Sequence, residues 1–202
     1  MKILIYGAGV IGSIFATKLS LSGQDVTVLA RNKRFEEISK SGIILRNPRT
    51  QHIETTFVKV IDALPKDMFF DYILVVMQRT QVGDILDILA ENKSKNIVFV
   101  VNTASGYQEW AKVIGSDRLM IGFPSAGGER KAGIVDYFIG KGLLRGFQTT
   151  TFGEYDGKKT QRVKDLIKAF QSAGIPSVFC KNMDLWQKTH VAMDIAQLLV
   201  TN

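Results

Sequence analysis

Cysteine and histidine are nearly absent from this chain. Cys180 is the only cysteine, which excludes an internal disulfide and any CxxC metal site and leaves a cytoplasmic protein as the natural reading. His52 and His190 stand far apart without metal-ligand spacing, so no metal is expected. No apolar run reaches the roughly 20 residues that span a bilayer, and no membrane partner is expected. Met1 enters the first apolar segment almost at once, without the charged region, apolar core and cleavage site of a secretory signal. No internal repeat or low-complexity tract is visible. Acid is scarce beside base: 26 Lys and Arg face 19 Asp and Glu, for a formal net charge of +7. The cations are spread from Lys2 to Lys188, with no basic helix carrying interleaved aromatics and no nucleic-acid motif, so nucleic acid is not an expected partner. The excess charge better suits an anionic cofactor and a carboxylate substrate.

What is present begins within a dozen residues. Lys2-Ile3-Leu4-Ile5-Tyr6 runs into Gly7-Ala8-Gly9-Val10-Ile11-Gly12 and then into a helix-like pattern. Strand, glycine turn and helix start in that order form the phosphate grip of a dinucleotide-binding βαβ unit. Gly7 allows the tight turn, Gly9 lets a pyrophosphate approach the backbone, and Gly12 lets helix and strand pack closely. The helix N-terminus adds free N–H groups and a partial positive charge.

The next strand, Asp25 to Leu29, decides which dinucleotide. Its end normally presents an acid to the ribose 2′-hydroxyl of NAD; here the chain reads Ala30-Arg31-Asn32-Lys33-Arg34. No acid repels a 2′-phosphate, and Arg31 can bind one in a bidentate, charge-assisted way. The expected cofactor is NADPH/NADP+. Lys33 and Arg34 are equally readable as the start of a solvated helix face.

With 202 residues and 46% hydrophobic content, the chain can bury a sizeable core in one domain or one and a fraction. Phe35 to Ser41 has helical character; Gly42 to Arg46 and Thr55 to Val60 read as paired strands. Tyr72 to Val76 and Asn96 to Val101 are continuous apolar runs, typical of strands buried on both faces. Val82 to Glu91 is the helix between them. A strand at Leu119 to Phe123 follows. Ile134 to Ile139 and Leu143 to Phe147, separated by Gly140-Lys141-Gly142, suggest an antiparallel hairpin added to the sheet. Lys158 to Ser172 is an amphipathic helix ended by Gly174 and Pro176. The expected fold is α/β, a Rossmann-like doubly wound sheet with that hairpin. From Asp184 to Val200 a helix is apolar around most of its circumference and needs burial on nearly all sides. Residues 1–180 are thus read as an NADP-binding domain, and 181–202 as the first helix of an incomplete, all-helical C-terminal domain. That helix, or the missing domain, would also serve for homo-oligomerisation.

Several of these residues together resemble the ketopantoate reductases (2-dehydropantoate 2-reductases). They are the GAGVIG turn, Ala30-Arg31, the stretch Val75-Val76-Met77-Gln78-Arg79-Thr80-Gln81, Asn102 after its strand, the hairpin after Gly122, and Leu185-Trp186-Gln187-Lys188. The resemblance implies an NADPH enzyme of pantothenate and coenzyme A synthesis, reducing a small anionic 2-oxo acid in a cleft between a Rossmann domain and a helical domain. It implies that Lys188 is the acid at the ketone oxygen, that Asn102 faces cofactor and substrate, and that Gln78 and Gln81 belong to the cofactor-side turn. The chain departs from the family where Gln78 replaces the usual lysine, with Arg79 beside it pointing elsewhere. It departs again where Ala192 replaces an asparagine one helical turn past Lys188. Two alternatives stay open: a module that binds NADP(H) without this activity, and a reductase of another 2-oxo acid or ketone.

Overall fold

A computed structural model of the chain describes residues 1–140 and 149–190. Its backbone is an eight-stranded sheet in the order β12-β11-β8-β7-β6-β1-β2-β5. The strands are β1 (Lys2–Tyr6), β2 (Asp25–Leu29), β5 (Lys59–Ile61), β6 (Tyr72–Val75), β7 (Ile97–Val100), β8 (Leu119–Phe123), β11 (Thr150–Glu154) and β12 (Ser177–Phe179). The run from β5 to β8 is parallel; β11 joins β8 antiparallel and carries β12 with it. This is the Rossmann-like arrangement, with chain order reversing between β1 and β6.

Alternate strand residues point to opposite faces, and both faces are buried, which is why the central strands read as unbroken apolar runs. Ile3, Ile5, Leu74 and Val98 join one core cluster with Phe15 and Phe170. Leu4, Ile73, Val75 and Phe99 join the other with Trp110 and Leu89. Helices α1 (Val10–Leu21) and α5 (Gln161–Ser172) contribute to the first cluster, and α3 (Leu86–Glu91) and α4 (Gln108–Ile114) to the second. One strand in from the outer edge, the buried Glu154 carboxylate of β11 meets Arg162 of α5, whose Nε donates across 2.7 Å. The same guanidinium reaches Asn96 and the Asp117 carbonyl, tying β11 to the loops before β7 and β8.

A second sheet, order β4-β3-β10-β9, is built from β3 (Ile43–Arg46), β4 (Ile53–Thr56), β9 (Ala126–Lys131) and β10 (Ile134–Ile139). All four strands contact α1, so that helix lies between two sheets. This explains why its buried residues, among them Ser13, Ile14, Phe15, Ala16, Thr17 and Leu19, do not keep to one stripe. Arg46 and Asp136 form a two-pronged ion pair across the parallel β3–β10 pairing, both prongs at 2.6 Å.

Several sequence expectations are corrected. The antiparallel hairpin falls one strand earlier: β10 pairs with β9 through Ala132 and Gly133, whose φ values of 47° and 83° supply the left-handed pair of a two-residue turn. It belongs to the second sheet rather than the main one, and 143–147 lies outside the described residues. The partner strand of β3 ends at Thr56, and the chain then rejoins the main sheet as β5 beside β2. The helix expected from Val82 begins as two 3-10 turns, Arg79–Gln81 and Gly83–Ile85, before α3. The first is held by reciprocal capping between Gln78 and Gln81. Strands β11 and β12 and helix α4 had no sequence expectation.

Candidate active site

The carboxyl ends of five parallel strands open on one cleft of about 1190 Å³. Gly7 to Gly12 follow β1, Ala30 and Arg31 follow β2, Met77 to Arg79 follow β6, Asn102 follows β7, and Pro124 follows β8. Open α/β sheets bind ligands at this edge, where strand order reverses. Every residue read from the sequence as cofactor-side lines it: Gly7, Ala8, Gly9, Val10, Ile11, Gly12, Arg31, Gln78, Gln81 and Asn102.

The three turn glycines answer to different neighbours. A Cβ on Gly7, where φ is 119°, would lie 2.2 Å from the Val76 carbonyl oxygen, and one on Gly12 would lie 1.9 Å from the Gly7 oxygen. The fold itself requires those two. A Cβ on Gly9 would meet nothing within 4 Å, so the packing of the fold does not require glycine there. Helix α1 starts there without a side-chain cap and with no acid in its first turn. Its leading N–H groups have no intrahelical acceptor, which fits the pyrophosphate of a dinucleotide.

Around this turn stand four arginines, Arg31, Arg34, Arg79 and Arg130, with Asp84 the one acid among the lining residues. Arg31 lies beside Tyr6, whose phenol is raised by burial and pulled back by the Arg31 charge. Arg34 is no solvated helix residue: its side chain is only 10% exposed. It donates from Nε to the Ala8 carbonyl at 3.2 Å and from Nη2 to Ser13 Oγ at 3.0 Å, and it pairs with Glu37. Arg130, on β9, donates to the same Ala8 oxygen at 3.3 Å. Burial first, and the Arg130 charge among the smaller effects, lower the Arg34 pKa, with Glu37 opposing. Arg79 lines the cleft beside Gln78.

Past β7, the loop carrying Asn102 is held by the chain's last described helix, residues 183–190. Gln187 in it is 0% exposed. Its amide nitrogen donates to the Val101 and Gly122 carbonyls at 3.4 and 3.3 Å, and its oxygen accepts from Thr103 N–H at 3.4 Å and from the Tyr107 hydroxyl. All the amide's polar capacity is thereby used. Trp186 and His190 stack with centroids 5.1 Å apart, and both meet the edge of cleft-lining Phe123. Lys188 lies outside the cleft lining: its side chain is 46% exposed and its ammonium is 2.6 Å from Asp184 Oδ2. Ala192 lies outside the described residues.

Sequence reading left Arg34 open between the cofactor side and a solvated helix face, and missed the cleft positions of Arg79 and Arg130 and the anchoring by Gln187. Arg130 carried one signal. It alternates with Glu129 and Lys131, which pair with each other on the opposite face, and it stands opposite the fully buried Val135.

Residues 3–157 match the family described as ketopantoate reductase PanE/ApbA. The chain belongs to that family. Its members are oxidoreductases, among them a 2-dehydropantoate 2-reductase of Pyrococcus horikoshii, 26% identical over 192 residues, which cover 93% of this chain and 58% of that protein. The crystal structure of 2-dehydropantoate 2-reductase from Methylococcus capsulatus superposes with a TM-score of 0.76 at 24% identity, covering 93% of this chain and 59% of that one. A D-mandelate dehydrogenase solved with NADH and anilino(oxo)acetate gives 0.74 at 20% identity, covering 90% and 57%. The two structures establish the shared fold. This chain spans less than two thirds of each of these proteins. Among the described residues, no helix is long and apolar enough to cross a membrane, and no three potential metal ligands cluster.

Proposed function

We propose that this chain binds NADPH and serves the reduction of a small 2-oxo acid, 2-dehydropantoate first among them, to the 2-hydroxy acid in the cytoplasmic synthesis of pantothenate. The observation that carries this reading is the open space at Gly9, in a turn whose other two glycines the fold consumes. Family membership supports a nicotinamide cofactor. The arginine after β2, where an acid would favour NAD, supports NADPH. When bound, the cofactor would supply a hydride, one proton carrying two electrons, to the ketone carbon.

The chain's own groups then have distinct tasks. The N–H groups at the start of α1 hold the pyrophosphate, and Arg31 holds the 2′-phosphate. Asn102 lies at the end of β7, where an amide can orient the nicotinamide end and the substrate together. Negative charge grows on the ketone oxygen during reduction and requires a cation or acid. Lys188 serves by exchanging Asp184 for that oxygen and then protonating it. A second reading, reduction of a different 2-oxo acid, is favoured by Gln78, a neutral amide where the resemblance implies a lysine. The ring of Phe123 at the β8 end of the cleft suits an apolar substituent on such a substrate.

Calorimetry with NADPH and NADH, followed by absorbance at the reduced-nicotinamide band after adding ketopantoate, tests both readings. NADPH-selective binding with oxidation is expected, and Arg31→Ala should weaken NADPH by about tenfold or more while sparing NADH. Binding with oxidation by other 2-oxo acids alone selects the second reading. Absence of binding to either dinucleotide overturns both.

A further inference from the structure

We infer that Arg130, supplied by the second sheet, is a phosphate-binding residue of the cleft, taking a phosphate oxygen of the dinucleotide while Arg34 and Ser13 hold the glycine turn. The inference rests on the dinucleotide reading above. It begins with the Ala8 carbonyl, which has two lone pairs and three donors: Ser13 Oγ at 3.4 Å, Arg34 Nε at 3.2 Å and Arg130 Nη1 at 3.3 Å. Ser13 and Arg34 already satisfy it, so Arg130 is surplus to the needs of the turn.

Charge points the same way. Arg34 has Glu37 as counter-charge, whereas Arg130 makes no ion pair with any described carboxylate. Two guanidinium groups meeting at one oxygen repel each other, and without an anion only one is balanced. A guanidinium has five N–H donors in a planar fork. Among the described residues, Arg130 uses one on Ala8 and lines the cleft wall.

Strand geometry sets which way Arg130 faces, although the residue itself stays exposed. Side chains along β9 alternate. Glu129 and Lys131 pair on one face, while Ala126 and Arg130 share the other, and both of these line the cleft. Opposite Arg130 in the ladder stands Val135, fully buried against the core that contains α1. The Arg130 guanidinium is thus held at the cleft wall beside the glycine turn by the Ala8 carbonyl, within reach of an anion seated at that turn.

The test compares wild type, Arg130→Ala and Arg130→Gln by calorimetry with NADPH, NADH and inorganic pyrophosphate, with thermal melts as the folding control. Glutamine keeps an N–H for the Ala8 oxygen but removes the charge. Both variants should melt near wild type and lose about tenfold or more in affinity for at least one dinucleotide, with a shallower salt dependence. Equal losses for NADPH and NADH assign the contact to the pyrophosphate, and a loss confined to NADPH assigns it to the 2′-phosphate. Unchanged affinity in a folded variant overturns the proposal, as does full rescue by glutamine, which would leave Arg130 a support of the turn. Should wild type bind pyrophosphate but neither dinucleotide, the cofactor reading fails separately, and Arg130 is judged on pyrophosphate alone.

Discussion

Gly9 and Gly12 stand three residues apart in one turn and should respond to the same substitution in opposite ways. Gly12→Ala forces a methyl to within 1.9 Å of a backbone oxygen, and overpacking of this kind costs about 1–3 kcal/mol or more. Gly9→Ala adds the methyl to open space, so denaturant unfolding should leave stability nearly unchanged while dinucleotide affinity falls by about tenfold or more. If Gly9→Ala binds as tightly as wild type, the space is not the ligand's. Legibility at this scale follows distance in sequence. The glycine turn and Arg31 could be read because their meaning is local, fixed by a strand before and a helix after. Arg34, Arg79 and Arg130 could not, because each acquires its place only when α2 (Asn32–Ser41), the turn after β6 and a strand of the second sheet converge.

Among the elements, the helix at 183–190 owes its position to one buried amide. Gln187→Leu retains much of the volume but leaves the Thr103 N–H, the Tyr107 hydroxyl and two strand-end carbonyls without this partner. Each unsatisfied buried group costs about 1–3 kcal/mol. A clear fall in melting temperature is therefore expected. Hydrogen exchange should quicken at 101–107 and in the helix, while dinucleotide binding at the far side of the cleft stays close to normal. Unaltered exchange at Thr103 would show that the helix is held by its aromatic contacts instead. The sequence pattern revealed this helix by its apolar breadth, yet it could not reveal the anchor, since a glutamine in a helix is ordinarily solvent-facing. Strand β11 escaped for a related reason: Thr150-Thr151-Phe152-Gly153-Glu154 shows no polar and apolar alternation, although every residue in it is buried.

Across the molecule, burial of tyrosine on both sides of the main sheet sets an alkaline limit. Tyr72 and Tyr107 have their phenols raised well above the ordinary 10.0, first by burial and then by the nearby carboxylates Asp165 and Asp184 respectively. Below pH 10 both are neutral whether the chain is folded or not, and they add no pH dependence. As pH rises past 10 the unfolded chain ionises them and the folded chain does not, so stability falls by about 1.4 kcal/mol per pH unit for each. The prediction is checked by urea titrations between pH 9 and 11.5, with phenolate absorbance from Tyr72 and Tyr107 appearing together with unfolding. Absorbance that rises fully before unfolding would show that these phenols are not held neutral. The overall α/β architecture was legible because strands buried on two faces leave unbroken apolar runs. The second sheet was not, since it joins strands from remote parts of the chain.

That joining has a kinetic consequence. β3 meets β10 across 90 residues, as the Arg46–Asp136 pair records, and neither half of the second sheet has the other beside it until much of the main sheet between them has formed. Loops of that length close late, because their entropy is spent before their contacts reward it. The glycine turn is local and early, whereas the arginine delivered by β9 is late. Competence to bind should therefore arrive at the end of folding, after most of the core is already dry.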